Sequence, residues 1–377
     1  MKKVSRSDAK KHHTLSFIKK EKSNDNNEEE VCAFLASMDH RKTDTHPKFH
    51  SGVPGVGIDA VEDRLRLIKK EFPGDFTSLH TVHEVQTEVP EAVQFNSKNA
   101  IKWSDLVQGV TEGRFPMISA ITAPAFNIPG AEFGSILNAD QKVVERTQKL
   151  HIEAIKRAQF VKEHGLGKGY VIWWPAYDSH MEAYFEAAGV LQRDPAKAFD
   201  QLVDFWVDVL KKTNGTVHLE WKPSVPGDRD YINSLGRAIK FADAVNNKLE
   251  RIAVVINNEW AHLLIGGKEV EPGTKETCEA GLFLELVHVN SAELADMEID
   301  DGTGEVLSGT PGDDKDWAVG LGGNKRWDDQ EKAVDYLINH QDFVMFEHDI
   351  APSGIDPLEY YALSRDNLER MITVSEN

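Results

Sequence analysis

Only two cysteines, Cys32 and Cys278, stand among the 377 residues. Two thiols so far apart make neither a disulfide framework nor a thiolate metal cluster, and a reducing, cytoplasmic setting is expected. Long apolar runs are also missing. Nothing approaches the roughly 20 residues of a membrane-spanning helix. The charged stretch over residues 1–30 has no apolar centre of the kind a secretory leader needs. Positive charge is scarce: 43 Lys and Arg stand against 62 Asp and Glu, a net charge of −19. Nucleic acids and anionic membranes are gripped by clustered cations, so neither is expected as a partner. An acidic balance is compatible with a cation site, although most of it belongs to solvated surface.

Hydrophobic residues make up 40% of the chain, enough to fill a substantial core. Short apolar runs at 76–79, 117–121, 169–173, 217–219, 252–256, 282–287 and 343–346 read as strands. Between them lie helix-like stretches at 60–71, 141–164, 195–213, 231–247, 275–284 and 328–339. Within 141–164, Val143, Val144, Thr147, Leu150, Ile155, Ala158 and Val161 recur at near-helical spacing. Strand–helix alternation over this length predicts an α/β fold with a parallel sheet covered by helices: a (β/α)8 TIM barrel, with a doubly wound sheet as the alternative. Seven strands are read directly, and an eighth is inferred in the N-terminal half. The organisation expected is an N-terminal arm over 1–45, a barrel over 46–350 and a C-terminal helical extension over 351–377. The glycine-rich, acidic stretch 291–327 reads as a long loop, and long loops in compact domains tend to carry function.

In such a barrel the working residues project from the C-terminal ends of the strands. Four of the apolar runs are followed by ionisable or metal-ligating types: Glu220-Trp221-Lys222, then Asn257-Asn258-Glu259-Trp260-Ala261-His262, then His288-Val289-Asn290, then Glu347-His348-Asp349. Each alone has an ordinary reading. Glu220 or Glu259 could be a salt-bridged strand end, His288 a hydrogen-bonded core histidine, Trp174 core. Packing gains nothing from four such ends in one chain, whereas a cation held between strands needs them. Oxygen-rich ligation with one or two imidazoles suits Mn²⁺, Mg²⁺ or Co²⁺. The Glu259-x-x-His262 spacing allows one residue to face each of two neighbouring ions. Asp314-Lys315-Asp316 carries alternate carboxylates on one side, as a second ion needs, and Glu347 and Asp349 share a side in the same way.

This ordered set resembles the L-rhamnose isomerase family and, more distantly, xylose isomerase, over a span of about 49–359. Phe76-Thr77-Ser78-Leu79-His80 resembles the family strand whose histidine lies near the sugar ring oxygen. Phe133-Gly134-Ser135-Ile136-Leu137-Asn138-Ala139-Asp140 resembles the family's entry into a helix, and Trp174 its aromatic pocket wall. Glu220 and Lys222 match a Glu-x-Lys pair whose first member binds metal and whose second meets the reactive end of the substrate. Glu259 with His262, then His288, then Asp314 and Asp316 ahead of Val319-Gly320, then Asp349 or Glu347 match the remaining ligands. About twenty residues are inserted before Asp314, and an alignment without the insertion puts the second ion on Asp296 and Glu298 instead. The resemblance implies an aldose–ketose isomerase for a small sugar, with two divalent ions, Mn²⁺ foremost, in a homo-oligomer, as a tetramer. Lys222, His80, Asp314 and Asp316 are the implied catalytic groups. A ketose 3-epimerase on one ion and an inactive sugar-binding barrel are the rival readings.

Overall fold

A computed structural model describes residues 16–19, 32–34, 61–71, 76–125, 128–131, 134–175, 195–223, 231–300, 306–312, 317–347 and 357–375. In chain order the elements are β1 (Ser16–Lys19), β2 (Cys32–Phe34), α1 (Val61–Glu71), β3 (Phe76–His80), α2 (Trp103–Thr111), β4 (Met117–Thr122), α3 (Gln141–Glu163) and β5 (Gly167–Trp173). They continue with α4 (Pro195–Thr213), β6 (Val217–Leu219), α5 (Leu235–Leu249), β7 (Val254–Ile256), α6 (Trp260–Ile265), α7 (Val270–Glu279) and β8 (Leu286–His288). Last come β9 (Met297–Ile299), β10 (Val306–Gly309), α8 (Asn324–His340), β11 (Val344–Glu347) and α9 (Pro357–Ser375).

Strands β3 to β7 pair in parallel and in chain order, as strand–helix units dictate. Strand β8 pairs in parallel with β11, and β11 pairs antiparallel with β1, which pairs with β2. The two sheets curve around one interior. Phe76, Ala120, Tyr170, Ile172 and Trp174 from the first pack with Leu286, Phe343 and Met345 from the second. Hydrogen bonds link the facing edges: Ile256 N donates to Leu282 O at 2.8 Å, and His288 N donates to Asn257 Oδ1 at 3.0 Å. All residues of β6, β7, β8 and β11 are buried, the mark of strands covered on both faces.

Outside the strands, helices α4 and α5 bury their apolar faces on β5 and β6. Trp173 packs against Trp206 and Phe241 at ring separations of 4.7 and 5.3 Å, and Phe199 meets Phe241 edge-on at 5.8 Å. Removing an aromatic side chain of this size from water contributes about 2–3 kcal/mol. Helix starts follow the sequence: Asp140 accepts from Lys142 N at 2.9 Å ahead of α3, and Ser234 accepts from Arg237 N at 3.2 Å ahead of α5. No described helix is long and apolar enough to cross a membrane.

The seven predicted strand positions hold, with boundary changes that have a local cause. The helix expected over 275–284 lies over Val270–Glu279, and the strand expected from 282 begins at Leu286. Gly281 and Glu285 adopt φ of 70° and 59°, left-handed conformations that neither helix nor strand continues through. Among the described residues the barrel strands before β4 number one, β3; the inferred eighth parallel strand is not among them, and the antiparallel β1 lies beside β11 instead. The stretch read as one long loop contains the antiparallel hairpin β9–β10. Asp296, just before the hairpin, and Glu298, in β9, are exposed, unlike the buried Glu220, Glu259 and His288.

Candidate metal centre

The parallel ladder runs one residue past the strand ends and so fixes the backbone of the candidate ligands. Glu220 N donates to Trp173 O at 2.9 Å, Asn257 N to Leu219 O at 2.9 Å, and Val289 N to Glu347 O at 2.7 Å. Three side chains from three separate strands converge as a result. Ligand atoms of Glu220, Glu259 and His288 all lie within 4.8 Å of one another, and all three residues are buried. His288 Nδ1 lies 2.7 Å from Glu220 Oε2, and its Nε2 lies 3.7 Å from Glu347 Oε1. His262, one helical turn beyond Glu259, puts Nε2 at 3.3 Å from Glu259 Oε2.

The donor set fits a divalent cation. Buried carboxylates and imidazoles normally end on hydrogen-bond partners. The 2.7 Å contact of His288 Nδ1 has the length of a hydrogen bond but not its direction, and neither ring nitrogen of His288 nor Oε2 of Glu347 has a hydrogen bond among the described residues. Carboxylate oxygens of Glu220 and Glu259 lie within 4.8 Å of each other in a buried place, and two ionised carboxylates so close favour a proton or a cation between them. Burial pushes the Glu220 carboxyl up to about 7, against the pull of hydrogen bonds from Glu259 and Trp174 and the charge of Lys222. Oxygen and imidazole ligands without thiolate match Mg²⁺, Mn²⁺ or Co²⁺.

The remaining predicted residues divide into those brought to this place and those outside the described residues. Lys222 is 5% exposed and close enough to Glu220 for its charge to act on that carboxyl. Trp174 Nε1 donates to Glu220 Oε1 at 2.7 Å, and its ring meets the His80 ring edge-on at 5.2 Å. His80 ends β3 in a turn built to hold it. Its N–H donates to Glu84 Oε2 at 2.8 Å, its Nδ1 lies 3.3 Å from the same oxygen, and Val82 takes an uncommon φ of 74°. His83 lies beside it, and burial, then the neighbouring His80, holds its imidazole down to about 4. Asp314, Asp316 and Asp349 lie outside the described residues. The chain just past the two loop acids is anchored near the centre: Trp317 and Ser291 exchange backbone hydrogen bonds of 2.7 and 2.8 Å, three residues beyond His288.

Three residues at the site carried no role in the sequence reading. Asn257 Nδ2 donates to Glu220 Oε2 at 2.9 Å, Asn290 Nδ2 donates to Glu259 Oε1 at 2.5 Å, and Glu84 is fully buried under His80. Both asparagines stand in the strand-end strings beside the ligands, but a neutral amide gives no signal of cation chemistry.

No family model matches the chain, and no curated protein matches it. Solved structures do. An L-ribulose 3-epimerase matches with a TM-score of 0.50 at 12% identity, over 85% of this chain and 92% of its own. A 3-keto-D-glucoside 4-epimerase from E. coli matches with a TM-score of 0.49 at 15% identity, over 86% and 97%. A xylose isomerase-like TIM barrel protein from Mycobacterium smegmatis, in complex with magnesium, matches with a TM-score of 0.46 at 15% identity, over 83% and 87%. At such identities a likeness speaks for fold. Together with the parallel strands of two sheets that share one interior, the match to L-ribulose 3-epimerase identifies the chain as having the (β/α)8 barrel fold.

Proposed function

We propose that the chain is a divalent-cation-dependent sugar isomerase that interconverts an aldose and its ketose. The observation that carries this reading is the meeting of Glu220, Glu259 and His288 from three strand ends, with buried Lys222 beside them. Glu220, Glu259 and His288, with Glu347 and His262 at the flanks, would hold the cation. A divalent ion there supplies positive charge against the oxygen charge that builds while hydrogen moves between C1 and C2. Lys222 adds a second positive charge for the substrate's reactive end. His80, held by Glu84, exchanges a proton with the sugar ring oxygen to open the ring. Trp174, locked by its bond to Glu220, walls the pocket against water.

The finer reading is a small aldose such as L-rhamnose, Mn²⁺ as the ion, a homotetramer and a cytoplasmic setting, with Asp314, Asp316 and Asp349 completing a two-ion centre. One observation favours a second reading. Glu220 and Glu347 both approach His288, at 2.7 and 3.7 Å, so that two carboxylates flank one imidazole. That arrangement suits an epimerase using an acid–base pair at one carbon, the activity named for the L-ribulose 3-epimerase of like fold. The test is incubation of the Mn²⁺-loaded protein with rhamnose, lyxose, mannose, allose and xylose, with products followed by NMR. A ketose formed from one of these aldoses is expected. Inversion at a single carbon of a ketose, with the aldoses untouched, would transfer the chain to the second reading.

A further inference from the structure

We infer that Asn257 and Asn290 are a pair of positioning residues that aim the two carboxylates of the centre, setting its cation affinity without touching the cation. This rests on the cation reading of the site. Both are fully buried. The two amides are used in the same way. Asn257 takes His288 N–H on Oδ1 at 3.0 Å and gives Nδ2–H to Glu220 Oε2 at 2.9 Å. Asn290 takes Ala261 N–H on Oδ1 at 2.7 Å and gives Nδ2–H to Glu259 Oε1 at 2.5 Å.

The orientation of each amide is forced. A backbone N–H can only face an amide oxygen, so the NH₂ group must face the carboxylate; the reversed amide would set donor against donor and acceptor against acceptor. Each asparagine therefore ties one ligand carboxylate to a backbone N–H: Asn257 to that of another strand, Asn290 to that of the helix that Glu259 itself caps. Asn257 links Glu220, after β6, to His288 at the end of β8. Asn290 links Glu259 to the start of α6, the helix that carries His262. Trp174 takes the other oxygen of Glu220, so that this carboxylate is fixed from both sides by neutral donors. Neutral donors matter here, because a cationic partner would compete with a metal ion for the same charge. An aspartate at either position would oppose carboxylate to carboxylate, and a leucine would leave a buried N–H unpaired.

Asn290 is itself held: its carbonyl accepts from Gln330 Nε2 at 2.8 Å, and Gln330 Oε1 accepts from Gly320 N at 2.6 Å. The amide that orients Glu259 thus shares its anchor with the segment that follows Asp314 and Asp316.

The experiment measures the Mn²⁺ dissociation constant by electron paramagnetic resonance, with thermal melting in parallel, for the wild type, N257A, N290A and N246A. Asn246 is the control. It makes an equivalent set of amide bonds, to Val254 O at 2.9 Å and from Ala253 N and Val254 N at 2.8 Å, at the opposite end of β7. The expected result is a Kd about 10- to 100-fold weaker in N257A and N290A, the range usual for partners that orient metal ligands, with N246A at the wild-type value. All three variants melting lower with unchanged Kd would overturn the inference, because the amides would then serve the fold alone. Should N257A not fold, N290A decides in the same way. A wild type that binds no Mn²⁺ would remove the cation reading itself, and the inference with it.

Discussion

Stripping the protein with a chelator is expected to abolish aldose–ketose interconversion, and adding back Mn²⁺ or Co²⁺ to restore it. A C–H bond beside a carbinol is a poor acid, and the oxygen charge that builds as it breaks needs a counter-charge already in place. On the proposed reading Lys222 would supply one positive charge, and a cation held by Glu220, Glu259 and His288 would supply the rest. The loss should exceed about a thousandfold, since removing a single oriented donor from a developing oxyanion already costs roughly 10²–10³. The pH dependence has a definite sign. Without a cation, burial pushes Glu220 up to about 7, so the protonated carboxyl occupies the ligand position below that pH. A metal ligand must shed its proton, so Mn²⁺ affinity should fall as pH drops below about 7 and be flat above it. Activity that survives excess chelator would defeat the account of the chemistry, and affinity that does not fall as pH drops below the midpoint of about 7 would defeat the account of Glu220.

Exchanging Lys222 for Met is the second large effect. Methionine matches the length and volume of the lysine stem, so packing at this buried position changes little, while the charge disappears. If Lys222 steadies the charge on the substrate's reactive end, kcat should fall about 10²- to 10³-fold, with bound metal per chain unchanged. The two readouts separate the roles. A fall in metal content would make Lys222 a support for Glu220, whose carboxyl it pulls down electrostatically. Unchanged turnover would leave Lys222 with no part in the reaction.

Much of this site is legible in the sequence because a barrel turns a local pattern into a global one. Each apolar run ends where its strand ends, and each strand end faces the same mouth. Glu220, Glu259, His288 and Glu347 could therefore be found one at a time, each from the run before it, although the distances between them are set by strands tens of residues apart. His262 follows from a helical turn after Glu259. His80 and Trp174 needed the family resemblance, since nothing local marks one buried histidine or tryptophan out from core. Asn257 and Asn290 were in plain sight but silent, because their work lies in hydrogen bonds between elements. The same limit shows in the fold. The offset of α7 and β8 turns on the left-handed backbone of Glu285, a conformation that a glutamate does not advertise. Helix α2, over Trp103–Thr111, has only nine residues and no side-chain cap, so its periodicity was too short to read.

The central claim is that acids and an imidazole from three separate barrel strands share one ion. Crystals grown with Mn²⁺ and measured at its absorption edge test it directly. The account predicts an anomalous peak bonded to Glu220, Glu259 and His288 together. A peak that touches none of these three, or a fully Mn²⁺-active protein with no peak among them, would contradict it.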